Sequence, residues 1–323
     1  MTALIDRPEV AAQEASPRRR FQLGQYGLAG ALVLLCVVAT FSSSAFLTKD
    51  NLINVLTQSS AIGILTIGLT FVILTGGIDL SVGSGLAAAS VYLGLQQDSG
   101  GLVMVLAALF GGVLIGLVNG LAVTWGKIVP FIATLAMFSS ARGLALHMSD
   151  STPIAITNSL VTDLGTKKVL GVPMPVYVFV LVAVTAWVVL NRTAFGRHVV
   201  AVGGNAEAAR ASGIRVERVL VAVYVISGLC VGIGALLVTG RLGSASPVIG
   251  NGYELDAIAA AVIGGAALSG GKGGIGGSVM GVLLFQVIFN LFNLLDVDTN
   301  MQGVLKGLII LAAVVLQRRT RKV

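Results

Sequence analysis

The hydrophobic residues of this chain come in long unbroken blocks. Residues 21–47, 51–78, 99–126, 169–191, 219–240 and 273–295 contain no Asp, Glu, Lys or Arg. Each block has the roughly 20 residues that a helix needs to cross about 30 Å of hydrocarbon. Shorter apolar stretches at 80–97, 128–147, 257–268 and 303–317 bring the expected spans to ten. The pattern predicts an all-α polytopic membrane protein. Composition agrees: the chain is 55% hydrophobic and 11% charged, where a soluble domain carries about 25% charged residues. A water-soluble fold is excluded.

The ends are different. Residues 1–20 mix acids, arginines and prolines without apolar periodicity, so they are expected to be a disordered cytoplasmic tail. The apolar run behind them exceeds a signal-peptide core and lacks a clear small-x-small cleavage site, which predicts a retained first helix. Arg18-Arg19-Arg20-Phe21 superficially matches a twin-arginine export signal, but further spans follow, and a basic cytoplasmic anchor is the better reading. Residues 21–317 form the membrane domain and 318–323 a basic tail.

Lys and Arg orient the chain. With both termini placed in the cytoplasm of a multi-pass inner-membrane protein, fifteen fall inside, and outside there are only Lys49, Lys167, Lys168 and Arg241. Arg142 and Lys306 lie within spans near their ends, from where they are expected to snorkel to the interface. The net charge of +7 then reflects topology and contact with anionic lipid, and no nucleic-acid partner is called for. The longest outer loop runs over 149–172, with a second polar connection at 241–256; the longest inner loop is 192–218.

Glycine is abundant, at 42 residues, and much of it falls inside the spans. Gly112, Gly116 and Gly120 share one helix face, and the pairs Gly228/Gly232 and Gly277/Gly281 repeat the small-xxx-small spacing that lets membrane helices approach closely. A weak internal likeness links Ile78-Asp79-Leu80-Ser81 to Glu254-Leu255-Asp256-Ala257, and 111–116 to 276–281. Because the partners run in opposite directions, spans 2–5 and 7–10 are candidates for an inverted repeat.

The most informative segment is 68–84, where Gly76-Gly77 breaks a helix beside Asp79. A carboxylate within the bilayer costs about 2.5–3.5 kcal/mol on insertion scales. Asp79 or Ser81 should therefore either cap the following helix or line a gate, and Glu254 and Asp256 are the matching pair. Cys36 and Cys230 fall inside spans as small apolar residues, and His147 and His198 have no second ligand at metal spacing, so neither metal nor cofactor is expected. Gly270-Gly271-Lys272-Gly273 is not a phosphate loop, since position 266 is Ala and no Ser or Thr follows Lys272.

Segment 68–84, with 201–214 and 252–273, closely resembles the permease signature of the ribose, xylose and arabinose family of ATP-binding-cassette importers. The likeness covers about residues 50–317. It implies a permease for a monosaccharide, a pentose such as ribose, with no ATPase of its own. Its implied partners are a cytoplasmic ATPase subunit, an extracytoplasmic sugar-binding protein and a second permease copy, with the sugar pathway at the dimer interface. Glu207-Ala208-Ala209 followed by Gly213 resembles the loop through which such permeases seat on their ATPase, making Gly203, Gly204, Asn205, Glu207, Ala208, Ala209 and Gly213 the expected coupling residues. The downstream Leu-Pro usual in that loop is missing. An ion-coupled secondary sugar transporter is the alternative; it would normally need ion sites near the midplane.

Overall fold

The computed structural model describes residues 18–319, and side chains over 27–315. Most of both expected tails lies outside the described residues. The helices are α1 (Arg18–Ser42), α2 (Lys49–Leu74), α3 (Val82–Gly94), α4 (Gly101–Thr124), α5 (Pro130–Met148), α6 (Ser159–Thr166), α7 (Met174–Arg192), α8 (Ala194–Gly204), α9 (Ala206–Ala211), α10 (Val216–Leu242), α11 (Tyr253–Ile263), α12 (Ile275–Leu294) and α13 (Thr299–Arg319). Two-residue strands β1 (Ile154–Ala155) and β4 (Ser244–Ala245) pair antiparallel, as do β2 (Lys168–Val169) and β3 (Val172–Pro173).

Every one of the ten apolar blocks overlaps a helix. Among the described residues six helices, α2, α4, α5, α7, α10 and α12, are long and apolar enough to cross a membrane. The chain is a multi-pass membrane protein. With 13 and 11 residues, α3 and α11 reach only about 20 and 16 Å at 1.5 Å per residue, so neither crosses hydrocarbon unaided. Each follows an irregular stretch, 75–81 or 243–252.

Helices α2 and α10 form the centre. Every residue of α2 from Ile62 to Leu74 is buried, whereas α5 buries only Ala133, Thr134, Ala141 and Ala145 and turns the rest of its apolar surface outward. Around α10 lie α4, α2 and α3; around α2 lie α10, α12 and α11. Glycine makes this density possible. A β-carbon on Gly112 or Gly116 would strike the α10 backbone at Gly228 and Tyr224, and one on Gly277 or Gly281 would strike α11 at Gly264 and Ala260. The small-xxx-small faces read from the sequence are therefore backbone contacts, packed by dispersion where no hydrophobic drive operates between helices.

The expected connectors carry structure of their own. Residues 149–172 hold α6, whose Asn158 cap accepts a bond from Leu160 N, and a β2–β3 hairpin turned at Leu170-Gly171, both at positive φ. Residues 192–218 hold α8 and α9. The connectors sort to two ends: β1 meets β4 and Gly165 lies against Arg241 at one, while Gly203 lies against Leu74 and Gly271 at the other.

Two expectations are corrected. Arg142 does not snorkel: its Nη1 donates to the carbonyls of Pro247 and, at 3.1 Å, Ile249. Lys306 does not reach for the interface either; it pairs with Asp256 at 2.5 Å and lies over the Phe289 ring. Both cations have acceptors within the protein, which offsets part of the cost of burying a charge, and Arg142 Nη2 is still buried without a partner.

Candidate functional site

The break after α2 begins with a turn that the sequence dictates. Gly76 takes φ +80°, and Gly76 N and Gly77 N donate to the carbonyls of Ile73 and Val72 at 2.9 and 3.1 Å. This is the Schellman closure that only a left-handed residue completes. Beyond it the chain stays extended enough to bring Asp79 between α4 and α10.

Asp79 is 2% exposed, and three donors satisfy it. Its Oδ1 accepts from Ser81 N at 3.0 Å and Ser81 Oγ at 2.6 Å, and its Oδ2 accepts from Ser227 Oγ of α10 at 2.9 Å. Asn119 Nδ2 of α4 donates to Ser81 Oγ at 2.8 Å, and Thr134 Oγ1 of α5 donates to Ile78 O at 3.1 Å. Ser81 stands at the N-cap position of α3, yet no side chain caps that helix. The carboxylate instead ties the break to α10, and Ser81 ties it to α4.

The segment before α11 is held differently. Arg142 fixes its carbonyls from α5, as described above. Glu254 and Asp256, both in the first turn of α11, are 7% and 6% exposed. Glu254 lies against Gly83 of α3, where a β-carbon would overlap Oε2, and that oxygen has no hydrogen-bond partner. The four sequence-selected acids and hydroxyls thus fall into two places: Asp79 and Ser81 in a closed network, Glu254 and Asp256 at the start of α11.

The third element is α8–α9. Asn205 caps α9 by accepting from Ala208 N at 3.0 Å. Gly213, at φ +85°, closes it: Gly213 N donates to Arg210 O and Ile214 N to Ala209 O. Gly213 thus supplies the left-handed turn that ends the helix. Ala209 is buried, and Glu207, Ala208 and Arg210 are exposed, so this single-turn helix offers one free face. Its root is tight. A β-carbon on Gly203 would overlap the Leu74 carbonyl oxygen and stand 2.6 Å from Gly271 N, and Gly271 N itself donates to Leu74 O at 2.9 Å. Sequence reasoning missed Arg142, Lys306, Asn119 and Ser227 as partners. The signal was there for the first two, since a charged residue in a span marks a functional or structural site.

The family described as the branched-chain amino acid transport system / permease component matches residues 51–314. The chain belongs to that family. Among curated relatives, this permease is 41% identical over 323 residues to the ribose import permease protein of Escherichia coli (strain K12), covering 96% of this chain and 99% of that one. It is 45% identical over 293 residues to the ribose import permease protein of Bacillus subtilis (strain 168), covering 89% and 91%. The D-allose transport system permease protein of Escherichia coli (strain K12) is 37% identical over 320 residues, covering 96% and 97%. No solved structure matches.

Proposed function

We propose that this chain is the membrane subunit of an ATP-binding-cassette importer that carries a monosaccharide, a pentose such as ribose, into the cytoplasm. Its work is transport, with ATP hydrolysed on a separate cytoplasmic ATPase subunit. Near full-length similarity to permeases named for ribose supports the substrate class. The observation that carries the mechanism is α9: capped by Asn205, closed by Gly213, exposed on one face and rooted through Gly203 against the break after α2. Small alanines let such a helix seat closely in a groove of the ATPase, while Glu207 fixes its register. The ion-coupled alternative has no support from the family or the relatives.

In this reading the α8–α9 end is cytoplasmic, as are both termini, in the inner membrane. The chain makes ten crossings, α3 and α11 completing theirs with 75–81 and 243–252. The packing supports an inverted repeat: α4 docks on α10 as α12 docks on α2, and α3 touches α4 as α11 touches α12. A second copy completes the importer within the lipid bilayer. On the outer face, α6, the β2–β3 hairpin with Leu170 at its tip, 96% exposed, and 241–256 receive the sugar-binding protein. Cysteines placed near Asp150 or Asn251 should cross-link to that protein and not to the ATPase.

Ala208→Trp and Gly213→Val test the coupling assignment. The first overpacks the seat, an error of about 1–3 kcal/mol; the second forces a β-branched residue into the left-handed turn that closes α9. Both variants should insert and receive the loaded binding protein, yet lose ATPase co-purification or sugar uptake. Normal assembly with normal uptake in both would falsify the role given to this loop.

A further inference from the structure

A cavity of about 440 Å³ opens in the half of the molecule away from α8 and α9, between α2, α10, α11 and α12. It lies along the first half of α2, at Gln58 to Ile62, some 18 Å from Leu74 at 1.5 Å per residue. Its volume is at the small end of ligand pockets, which run about 300–1,000 Å³. The lining is mixed in a particular way. Phe289 and Tyr253 supply ring faces, while Gln58, Gln286, Arg241 and Asp256 supply amide, cationic and carboxylate groups.

Gln286 is the telling residue. It sits on α12 at 6% exposure, lines the cavity, and has no hydrogen-bond partner among the described residues. Its amide borders the cavity and is not tied to the protein, so it can donate to and accept from a guest that enters. The Asp256–Lys306 pair stands at the same wall, with Lys306 over the Phe289 ring. Ile62, Leu237, Val238 and Leu242 also line it, but a hydrocarbon tail would leave four amides, a carboxylate and a guanidinium facing it without partners. A compact polyol with apolar ring faces and hydroxyl edges matches both kinds of lining.

We infer that this cavity is a holding site for one monosaccharide inside a single permease subunit, distinct from any passage between two copies. The inference rests on the importer reading above. The sugar stacks on Phe289 and Tyr253, bonds to the Gln286 amide and to Asp256, and stays only briefly, since the open mouth leaves much of it in water. Arg241 and Gln58 stand at the rim.

The test uses the assembled transporter, permease with its ATPase and binding protein, in proteoliposomes with D-ribose, D-xylose, L-arabinose and D-allose as probes. If none of the four is taken up by the unaltered complex, the importer reading itself fails. Given uptake of one, Gln286→Trp fills the cavity and should lower that uptake by about tenfold or more, while stimulation of the ATPase by loaded binding protein persists. Gln58→Cys supplies a readout that needs no change in the core: the transported sugar in excess should slow its modification by a water-soluble thiol reagent, and leave Lys167→Cys, on the hairpin side, unaffected. Uptake by Gln286→Trp within about twofold of the unaltered complex overturns the site. So does equal labelling of Gln58→Cys with and without sugar, whether the cavity is then found empty or occupied by lipid. Should Gln286→Trp fail to assemble, protection of Gln58→Cys decides alone.

Discussion

The two irregular stretches that precede short helices, 75–81 before α3 and 243–252 before α11, solve one problem in opposite ways. Each leaves backbone and carboxylates inside a membrane protein, where an unsatisfied polar group is expensive. The first satisfies its carboxylate: Asp79 holds three hydrogen bonds from Ser81 and Ser227, and Asn119 braces Ser81, while Asn119 Oδ1 and Tyr224 OH beside them are buried and unpaired. The second is open: Arg142 gathers two carbonyls, but Glu254 Oε2 has no partner and Asp256 faces a cavity beside Lys306. A carboxylate whose oxygens are both bonded specifies one geometry, and one with an unpaired oxygen leaves room for another. The α3 side is built as a fixed joint, the α11 side as the one that can rearrange.

That contrast can be broken most forcefully at Asp79. Asp79→Leu removes the acceptor from three buried donors and should cost about 3 kcal/mol or more, since each buried polar group left unsatisfied costs about 1–3 kcal/mol. Thermal unfolding of the purified permease in detergent should show a large drop in midpoint, and an unchanged midpoint would end the idea of a fixed joint. Arg142→Met comes next. It frees the carbonyls of Pro247 and Ile249 and should cost about 2–3 kcal/mol, from hydrogen bonds to a charged group, with protease cleavage appearing first in 243–252. The smallest effect belongs to Glu254→Gln. Because one carboxylate oxygen already lacks a partner, the amide should change stability by less than about 1 kcal/mol. A loss as large as that of Asp79→Leu would show that both joints are alike.

Much of this was legible in the chain, and the reasons differ from place to place. Block length alone located the helices, because hydrocarbon thickness sets it. The glycine faces at Gly112/Gly116 and Gly277/Gly281 were readable because spacing on a helix is geometry, not context. The roles of Asp79 and Ser81 were not resolved between cap and gate, since their partners Ser227 and Asn119 lie 148 and 38 residues away, and single-chain pattern has no access to such pairings. Arg142 and Lys306 were assigned to the interface by a rule about long side chains that ignores nearby acceptors. Helices α6 and α8 were missed because they are short, with the Asn158 and Thr193 caps as their main signal.

One contact near α8 carries a kinetic consequence. Gly203 sits against the end of α2 and against Gly271 in the connection between α11 and α12, and those two are themselves joined by the Gly271 to Leu74 hydrogen bond. Backbone pressed on backbone has no rotamers to absorb a displacement. Under the coupling role proposed for α9, a push delivered there would arrive at both halves of the chain in the same instant, as torque arrives at both wheels through a locked axle. Half-moved states are scarce in such a device, and distances across the two halves, followed one molecule at a time, would jump together rather than in sequence.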